Sequence, residues 1–303
     1  MNRNNPYYKQ VQLLLQVIPF ISEQPQFALK GGTAINLFLR DFPRLSVDID
    51  LVYLPHEKRE IALNNIQLSL NNIAKELLKV YPQLGITKSY ENKDDSLRLI
   101  VSQSGISIKI ELSPVLRETV FPPTIRQTTE KVELEFGFAE INVVALEDLY
   151  AGKLCAAFDR QHPRDFFDVM VLLENEGITD GIRQAFLVYL ISHARPMNEL
   201  LTPNWKSIEA IFLSEFQGMA FRESSVIELE NTSKTALKQL LTGFTTEEKL
   251  FLCSIYSEAP RWDLLPFEHI QHLPAVKWKL LNIRKMDKQK RLQAHKALET
   301  ALT

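Results

Sequence analysis

The segments KGGTA at residues 30–34 and RLSVDIDLV at residues 44–52 carry the most informative pattern of this chain. The short apolar run FALK ends in a glycine pair, and TAINLFLRDF beyond it has a helical period. VDIDL then alternates polar and apolar residues before the run becomes apolar, which predicts a strand with one wet face at its start. We therefore predict a strand, a tight turn, a helix and a second strand.

The two aspartates of the second segment, Asp48 and Asp50, are separated by one residue. Because side chains alternate across a strand, both carboxylates point to one side and Ile49 points into the core. Adjacent carboxylates repel each other, and they are tolerated at a water-exposed rim or around a divalent cation. Magnesium suits such a pair because it prefers oxygen ligands. A lone DxD pair is more often a surface pair than a metal site, so its neighbours must decide.

The glycine pair Gly31 and Gly32 ends a strand, and Thr33 begins a helix. Backbone N–H groups at such a turn can approach a phosphate closely. A tight strand-to-helix turn with a threonine cap explains the same three residues. The two interpretations are compatible.

A third carboxylate occurs in GISIKIELS at residues 105–113, where the apolar residues form one face. Ser107, Lys109 and Glu111 form the other face. If this strand lies beside the DID strand, Glu111 completes a set of three carboxylates. Lys109 would then offset part of their charge or meet a phosphate. The same alternation also describes an ordinary half-exposed strand.

The change from strand patterns to helical patterns near residue 145 predicts two domains, 1–145 and 146–303. Within the first, VELEFGFAEINVVA is read as strand, and the first helix is expected to break near Pro19. HEKREIALNNIQLSLNNIAKELLKVY is predicted as a long amphipathic helix. Its expected core positions are Ile61, Ile66, Leu70, Ile73 and Leu77.

The composition of the 303 residues excludes several classes of protein. No apolar run approaches the roughly twenty residues that cross a bilayer, so we expect a cytoplasmic protein without membrane contact. The two cysteines, Cys155 and Cys253, lack partners at ligand spacing, which argues against a zinc site or a disulfide.

The C-terminal segment from Lys277 onward is basic, with eight lysine or arginine residues against two acidic ones, although the whole chain has a net charge of −2. This distribution is typical of a solvated last helix and equally of an RNA-binding or partner-binding face.

The order of these features resembles the nucleotidyltransferase superfamily, with Gly32-Thr33 in place of its usual Gly-Ser. The strings KGGTA, RLSVDIDL, IKIELS and EDLYAGKLCAAFDRQHPRDFFDV together resemble the AbiEii/AbiGii toxin family and the related MenT toxins. They span residues 30–169, about half of the chain. The resemblance implies an α/β (α+β) fold, in which a mixed sheet with flanking helices is followed by a helical C-terminal domain.

The resemblance also implies roles for individual residues. Asp48 and Asp50 would hold two magnesium ions, and Glu111 would bind the second ion or take the proton of the acceptor. Lys153 and Asp168 of the second domain would join these three as catalytic residues. The residues expected to bind the nucleotide are Lys30, Gly31, Gly32, Thr33, Arg44, Ser46, Lys109, Arg160 and Arg164. On spacing alone, Asp165 or Asp168 paired with Arg160 or Arg164 describes an ion-paired corner between two helices just as well.

The implied activity is transfer of a nucleoside monophosphate from an NTP to an acceptor hydroxyl, with release of pyrophosphate. The resemblance indicates an RNA acceptor, with tRNA 3′ ends as the leading candidate, and an antitoxin encoded nearby, whose contact with this chain it does not fix. Two alternatives stay open: an NTP-binding module of the same fold without catalysis, and a transferase that acts on a protein or a small molecule.

Overall fold

A computed structural model describes residues 6–91, 93, 96–257 and 259–303. The chain divides into two compact units. The first is Met1–Ala145 together with Gly218–Arg222, and the second is Leu146–Gln217 together with Glu223–Thr303. Among the described helices, none is long and apolar enough to cross a membrane.

The first unit is built on one mixed sheet. Its strands within the described ranges are β1 (Phe27–Lys30), β2 (Asp48–Tyr53), β3 (Gly85–Lys88), β4 (Arg98–Gln103), β5 (Ile106–Leu112), β6 (Thr124–Gln127) and β7 (Glu140–Val143). Their order in the sheet is β3-β4-β5-β2-β1-β7-β6. The pairs β1–β7 and β2–β5 are parallel, and the other neighbours are antiparallel. The mixed sheet of the predicted fold class is confirmed.

Helices cover this sheet. They are α1 (Pro6–Ser22), α2 (Gly31–Thr33), a π-helical turn (Ala34–Leu39), α3 (Arg59–Val80), a 3₁₀ turn (Ser89–Glu91) and α4 (Glu130–Phe136). Helix α1 packs against β5 and β7, and against α3. It continues through Pro19, so the predicted break is wrong. Because Pro19 lies in the last turn, its missing N–H removes one hydrogen bond without stopping the helix before Ser22.

The amphipathic pattern of α3 is confirmed at four of its five expected core positions, and Ile61 is the exception. Ile66, Leu70, Ile73 and Leu77 are buried, whereas Ile61 is 51% exposed. Helix α3 begins at Arg59, so Ile61 lies in its first turn, where its side chain faces water.

The segment VELEF was expected to be a strand and instead forms most of α4. Val132 is fully buried and Leu134 is 81% exposed, so the two residues do not share a face as strand alternation requires. Acidic residues occupy the first turn, where they favour the positive end of a helix. Gly137, with φ of 104°, ends the helix before β7.

The second unit consists of helices in the described ranges. They are α5 (Leu146–Arg160), α6 (Pro163–Glu174), α7 (Asp180–Ser192), α8 (Met197–Leu201), α9 (Glu209–Ile211), a π-helical turn (Phe212–Phe216), α10 (Val226–Gly243), α11 (Thr246–Ser254), 3₁₀ turns (Trp262–Leu264 and Glu268–His272), α12 (Pro274–Arg284) and α13 (Lys288–Leu302). Helix α5 packs along α7 and α6. Phe158 meets Phe186 and Trp205 edge-on. Burying a phenylalanine contributes roughly 1.5–3 kcal/mol, so this packing holds α5 against α7.

Candidate active site

Four charged residues form one row across the centre of the sheet. The register aligns Lys30 with Asp50, Asp50 with Glu111, and Glu111 with Arg98. Aligned residues on neighbouring strands project to the same face. The row therefore has a cation at each end and two carboxylates between them, and the cations offset the repulsion between the carboxylates.

Asp48 lies on the same face, two residues before Asp50 on β2. It is aligned with Lys109 of β5. Ile49 between the two aspartates is fully buried, so the carboxylates face away from the core. The structure thus brings Asp48, Asp50 and Glu111 onto neighbouring positions of two parallel strands.

The donor chemistry of these three carboxylates fits magnesium, which prefers oxygen ligands. Among the residues that the structure describes, no group of three or more His, Cys, Asp or Glu side chains already surrounds one point as metal ligands would. Glu111 is instead in an ion pair with Arg98, its neighbour on the side away from Asp50. Sequence reasoning missed Arg98, because its position beside Glu111 depends on the register of the β4–β5 hairpin.

The glycine pair lets two side chains approach the backbone. A Cβ on Gly31 would lie 2.6 Å from Oδ2 of Asp50, and φ of Gly31 is 74°. A Cβ on Gly32 would lie 2.7 Å from Nη2 of Arg44 and 2.9 Å from Oγ of Ser46. Real Cβ atoms do not approach other atoms this closely. Both positions therefore require glycine for the packing seen here.

Thr33 links the start of the helix to the start of β2. Its hydroxyl donates to the carbonyl oxygen of Asp48 at 2.5 Å and lies 3.0 Å from the hydroxyl of Ser46. Thr33 is 1% exposed, and the N-cap position before the helix belongs to Lys30. The expected threonine cap is wrong, because the helix begins at Gly31, two residues earlier. In this arrangement the Thr33 hydroxyl positions the DID strand.

Arg44 is buried behind the glycine pair. Its Nη1 donates to the carbonyl oxygen of Leu45 at 2.8 Å, and its exposure is 2%. The segment Gly218–Arg222 of the same unit pairs with this stretch: N–H of Leu45 donates to the carbonyl oxygen of Met219 at 2.9 Å. Arg44 and Ala220 form an antiparallel bridge. The guanidinium therefore lies within packed protein beside Gly32.

The second unit holds a buried cluster of ions where α5 meets α6. Nζ of Lys153 lies 2.8 Å from Oδ1 of Asp165 and 2.9 Å from Oδ2 of Asp168. Arg160 donates to both carboxylate oxygens of Asp165, at 2.5 and 2.8 Å. Burial alone would raise the pKa of Asp165, but the charges of Lys153 and Arg160 outweigh it and hold that pKa well below its usual range.

This cluster contains the ion-paired corner that the spacing of the residues indicated. It also places Asp168 beside Lys153. Asp165, which was absent from the expected site residues, is the carboxylate that both cations share. Its spacing of one helical turn from Asp168 was the available sequence signal.

Arg164 belongs to a separate group at the start of α6. His162 caps this helix, since its Nδ1 accepts from the N–H of Arg164 at 3.1 Å. Nε2 of His162 lies 3.1 Å from Oε2 of Glu215, and Nη2 of Arg164 lies 3.9 Å from the same oxygen. Burial lowers the pKa of His162. A neutral imidazole with its proton on Nε2 satisfies both contacts.

A comparison with known protein families identifies the family of this chain. The family model described as nucleotidyl transferase AbiEii toxin, Type IV TA system, matches residues 12–265. The chain belongs to the AbiEii family. As a member, it is a nucleotidyltransferase toxin of a type IV toxin–antitoxin system.

A solved structure with a similar fold was found for this AbiEii family member. It is MenT4, a nucleotidyltransferase toxin from Mycobacterium tuberculosis H37Rv, with a TM-score of 0.58 and 14% sequence identity. The alignment covers 100% of this chain and 96% of the MenT4 chain. A comparison with curated proteins found no match.

Proposed function

We propose that this AbiEii family member transfers a nucleoside monophosphate from an NTP to an acceptor hydroxyl and releases pyrophosphate. The observation that carries the proposal is the presence of Asp48, Asp50 and Glu111 on one sheet face beside the glycine pair. The proposed acceptor is RNA, with tRNA 3′ ends as the first candidate. Family membership supports nucleotidyl transfer as the reaction class.

Magnesium is the proposed cofactor, with two ions held by Asp48, Asp50 and Glu111. When bound, the metal supplies charge neutralisation of the triphosphate and a lower pKa for the attacking hydroxyl. Three carboxylates on neighbouring strands offer the hard oxygen ligands that this ion requires.

The chain's own residues attract and orient the triphosphate. Lys30 and Lys109 flank the carboxylates in the sheet register and supply positive charge to the incoming phosphates. The backbone at Gly31 and Gly32 can offer N–H groups at the start of a helix. Because Arg44 is buried against Gly32, its proposed role is to hold this turn in place together with Ser46 and Thr33.

Glu111 is proposed either to bind the second metal ion or to accept the proton from the attacking hydroxyl. Its side chain is partly exposed, and its ion pair with Arg98 fixes the position of its carboxylate. Arg98 is therefore a proposed positioning residue for this step.

In the second unit, Lys153 is the proposed source of an additional positive charge for the reaction. Asp165 and Asp168 fix its ammonium group from two sides. Arg160, whose side chain is 61% exposed, is a proposed phosphate-binding residue, and so is Arg164. Loss of Lys153 should lower the rate of transfer while the fold of the first unit stays intact.

The type IV toxin–antitoxin family also supports a cognate antitoxin as a partner. We propose that it is encoded beside this chain and that the pair acts in defence against phage. Growth arrest on expression of the wild-type chain, absent with Asp48→Asn, would support the toxin role.

The proposal is tested with NTPs labelled either at the α-phosphate or at the γ-phosphate. The purified protein is incubated with magnesium, total cellular RNA and each of the four nucleotides in turn. We expect label from the α-position on a discrete RNA band and label from the γ-position only in pyrophosphate. γ-label on RNA would contradict the proposal in favour of phosphorylation. Label on protein or on small molecules would show that the acceptor is not RNA. NTP that binds without turnover would support a module that binds nucleotides without catalysis.

A further inference from the structure

Helix α12 presents an exposed face that combines positive charge with an aromatic ring. Its opposite side is packed into the second unit through Ala275, Val276 and Ile283. On the outer side, Trp278 is 53% exposed and Leu281 is 43% exposed. Exposed apolar side chains also occur elsewhere on this chain, so what distinguishes this face is the combination of Trp278 with neighbouring cations.

The exposed residues of this helix lie on one continuous surface. At 3.6 residues per turn they fall within an arc of about 160°. We call this surface the α12 face, and its members are Lys277, Trp278, Leu281, Asn282, Arg284 and Lys285. It contains three cations, one indole and no acidic residue.

The helix that follows in the chain is also basic. Lys288, Lys290, Arg291 and Lys296 all belong to α13. Of the acidic residues in this segment, Asp287 caps α13 and lies 3.7 Å from Nζ of Lys290. Glu299 lies 3.7 Å from Nδ1 of His295. Neither carboxylate belongs to the α12 face.

We propose that the α12 face binds single-stranded RNA. Trp278 stacks on an unpaired base, and Leu281 completes the apolar platform beneath it. Lys277, Arg284 and Lys285 contact the phosphates on either side. Aromatic stacking combined with a basic surface is the general physical basis of single-strand binding. The cores of protein–protein interfaces are instead depleted in lysine.

The choice of RNA over DNA rests on the proposed function, in which the acceptor is RNA. The binding surface itself rests on the position of Trp278 among cations. A binding assay therefore tests the surface separately from catalysis.

The test is fluorescence anisotropy of a labelled, unstructured 12-nucleotide RNA that is titrated with the full chain. The titration is repeated between about 50 and 200 mM KCl, because phosphate contacts make the affinity depend on salt over this range. Trp278→Ala is compared with Trp278→Phe, which keeps a stacking ring. Its control is Leu250→Ala, since Leu250 is an apolar residue of α11 that is 57% exposed. We expect Trp278→Ala to weaken binding by about 5- to 150-fold. Trp278→Phe should retain most of the affinity, and the control should match wild type.

The phosphate contacts are tested by Lys277→Ala/Lys285→Ala. The matched control is Lys234→Ala/Lys238→Ala on α10, which removes the same charge from exposed positions elsewhere in the unit. The first pair should lower the slope of log affinity against log salt by about 1.4, since each contact with a single strand contributes about 0.7. The second pair should leave the slope unchanged.

Equal RNA affinity of Trp278→Ala and wild type would overturn the proposal. If Trp278→Ala abolished a dimer in sedimentation velocity without changing RNA affinity, the face would be an interface between copies, and the proposal would fail. If RNA binding depends on Trp278 but no labelled RNA product forms, the α12 face binds RNA and the proposal that RNA is the acceptor is wrong. If RNA is labelled but RNA affinity does not depend on Trp278, the proposed RNA-binding role of the α12 face is wrong and the proposed acceptor stands.

Discussion

At the level of single residues, Gly31 has both a positive φ and a position where a Cβ would collide with a neighbouring side chain. The other glycines of the chain have at most one of these two features. Its φ is 74°, and a Cβ would lie 2.6 Å from Oδ2 of Asp50. Gly105, in the β4–β5 turn, has a similar φ of 79°, but a Cβ there would meet nothing within 4 Å. The two positions therefore distinguish backbone strain from contact with the site.

We expect Gly31→Ala and Gly105→Ala each to lower the free energy of unfolding by about 1–2 kcal/mol, because alanine is strained at positive φ. Only Gly31→Ala should also weaken NTP binding, since its methyl group displaces the Asp50 carboxylate. Chemical denaturation and isothermal calorimetry measure the two effects. Equal loss of NTP affinity in both variants would contradict the role assigned to the glycine pair.

Asp165 is buried between two cations, and its loss leaves them without their shared carboxylate. We expect Asp165→Asn to lower the free energy of unfolding by about 3–5 kcal/mol near pH 7, as when a buried ion pair loses one partner. Because the pKa of Asp165 is lowered on folding, its contribution is present above the unfolded pKa of about 3.9. It is lost as the pH falls below that value.

Urea denaturation of wild type and Asp165→Asn at pH 7 and pH 3 checks this expectation. The difference between the two proteins should shrink at the lower pH. Asp263→Asn is the control, since Asp263 pairs with Arg261 at an exposed position, and it should leave stability unchanged. A constant difference at both pH values would contradict the assignment.

At the scale of secondary-structure elements, the sequence predicted best where the pattern was local. Alternation along VDIDL and SIKIEL fixed which side chains share a face, because the strand period is set by neighbouring residues. The same reasoning failed for VELEF. Its alternation predicted a strand, but the segment forms a helix with acidic residues in its first turn. The bridge between Arg44 and Ala220 had no local signal, since it joins residues distant in the chain.

Helix α12 is tied to the end of α7 by a buried lysine. Nζ of Lys279 donates to the carbonyl oxygens of His193 and Arg195, at 2.8 and 2.5 Å. Burial lowers the pKa of Lys279 from 10.5 to about 8. Between these two values the unfolded chain binds one more proton at this site than the folded chain, so stability rises with pH.

We expect Lys279→Met to remove this rise. The difference in melting temperature between wild type and variant, measured from pH 7.5 to pH 10.5, should move in favour of wild type as the pH increases. Lys277→Met, at an exposed position of the same helix, is the control and should show a constant difference. A flat difference for Lys279→Met would show that the buried amine keeps its ordinary pKa.

At the scale of the whole molecule, the fold is shared with MenT4 although only 14% of residues are identical. The family resemblance could be recognised from the order of a few short motifs that contain the carboxylates and glycines. Sequence reasoning could not predict partners such as Arg98 for Glu111, because strand register and helix packing decide them. The charge distribution is likewise a property of the whole chain: a basic C-terminal segment within a protein of net charge −2.

Pyrophosphate release measures whether the carboxylates on the sheet face carry out the proposed nucleotidyl transfer. Wild type, Asp48→Asn and Asp50→Asn are compared with Asp41→Asn, an exposed aspartate of the same unit that pairs with Lys131. We predict background rates for Asp48→Asn and Asp50→Asn and the wild-type rate for Asp41→Asn. The melting temperatures of Asp48→Asn and Asp50→Asn should be close to that of wild type, because both carboxylates face away from the core. Wild-type pyrophosphate release by Asp48→Asn or Asp50→Asn would rule out the proposed role of these carboxylates.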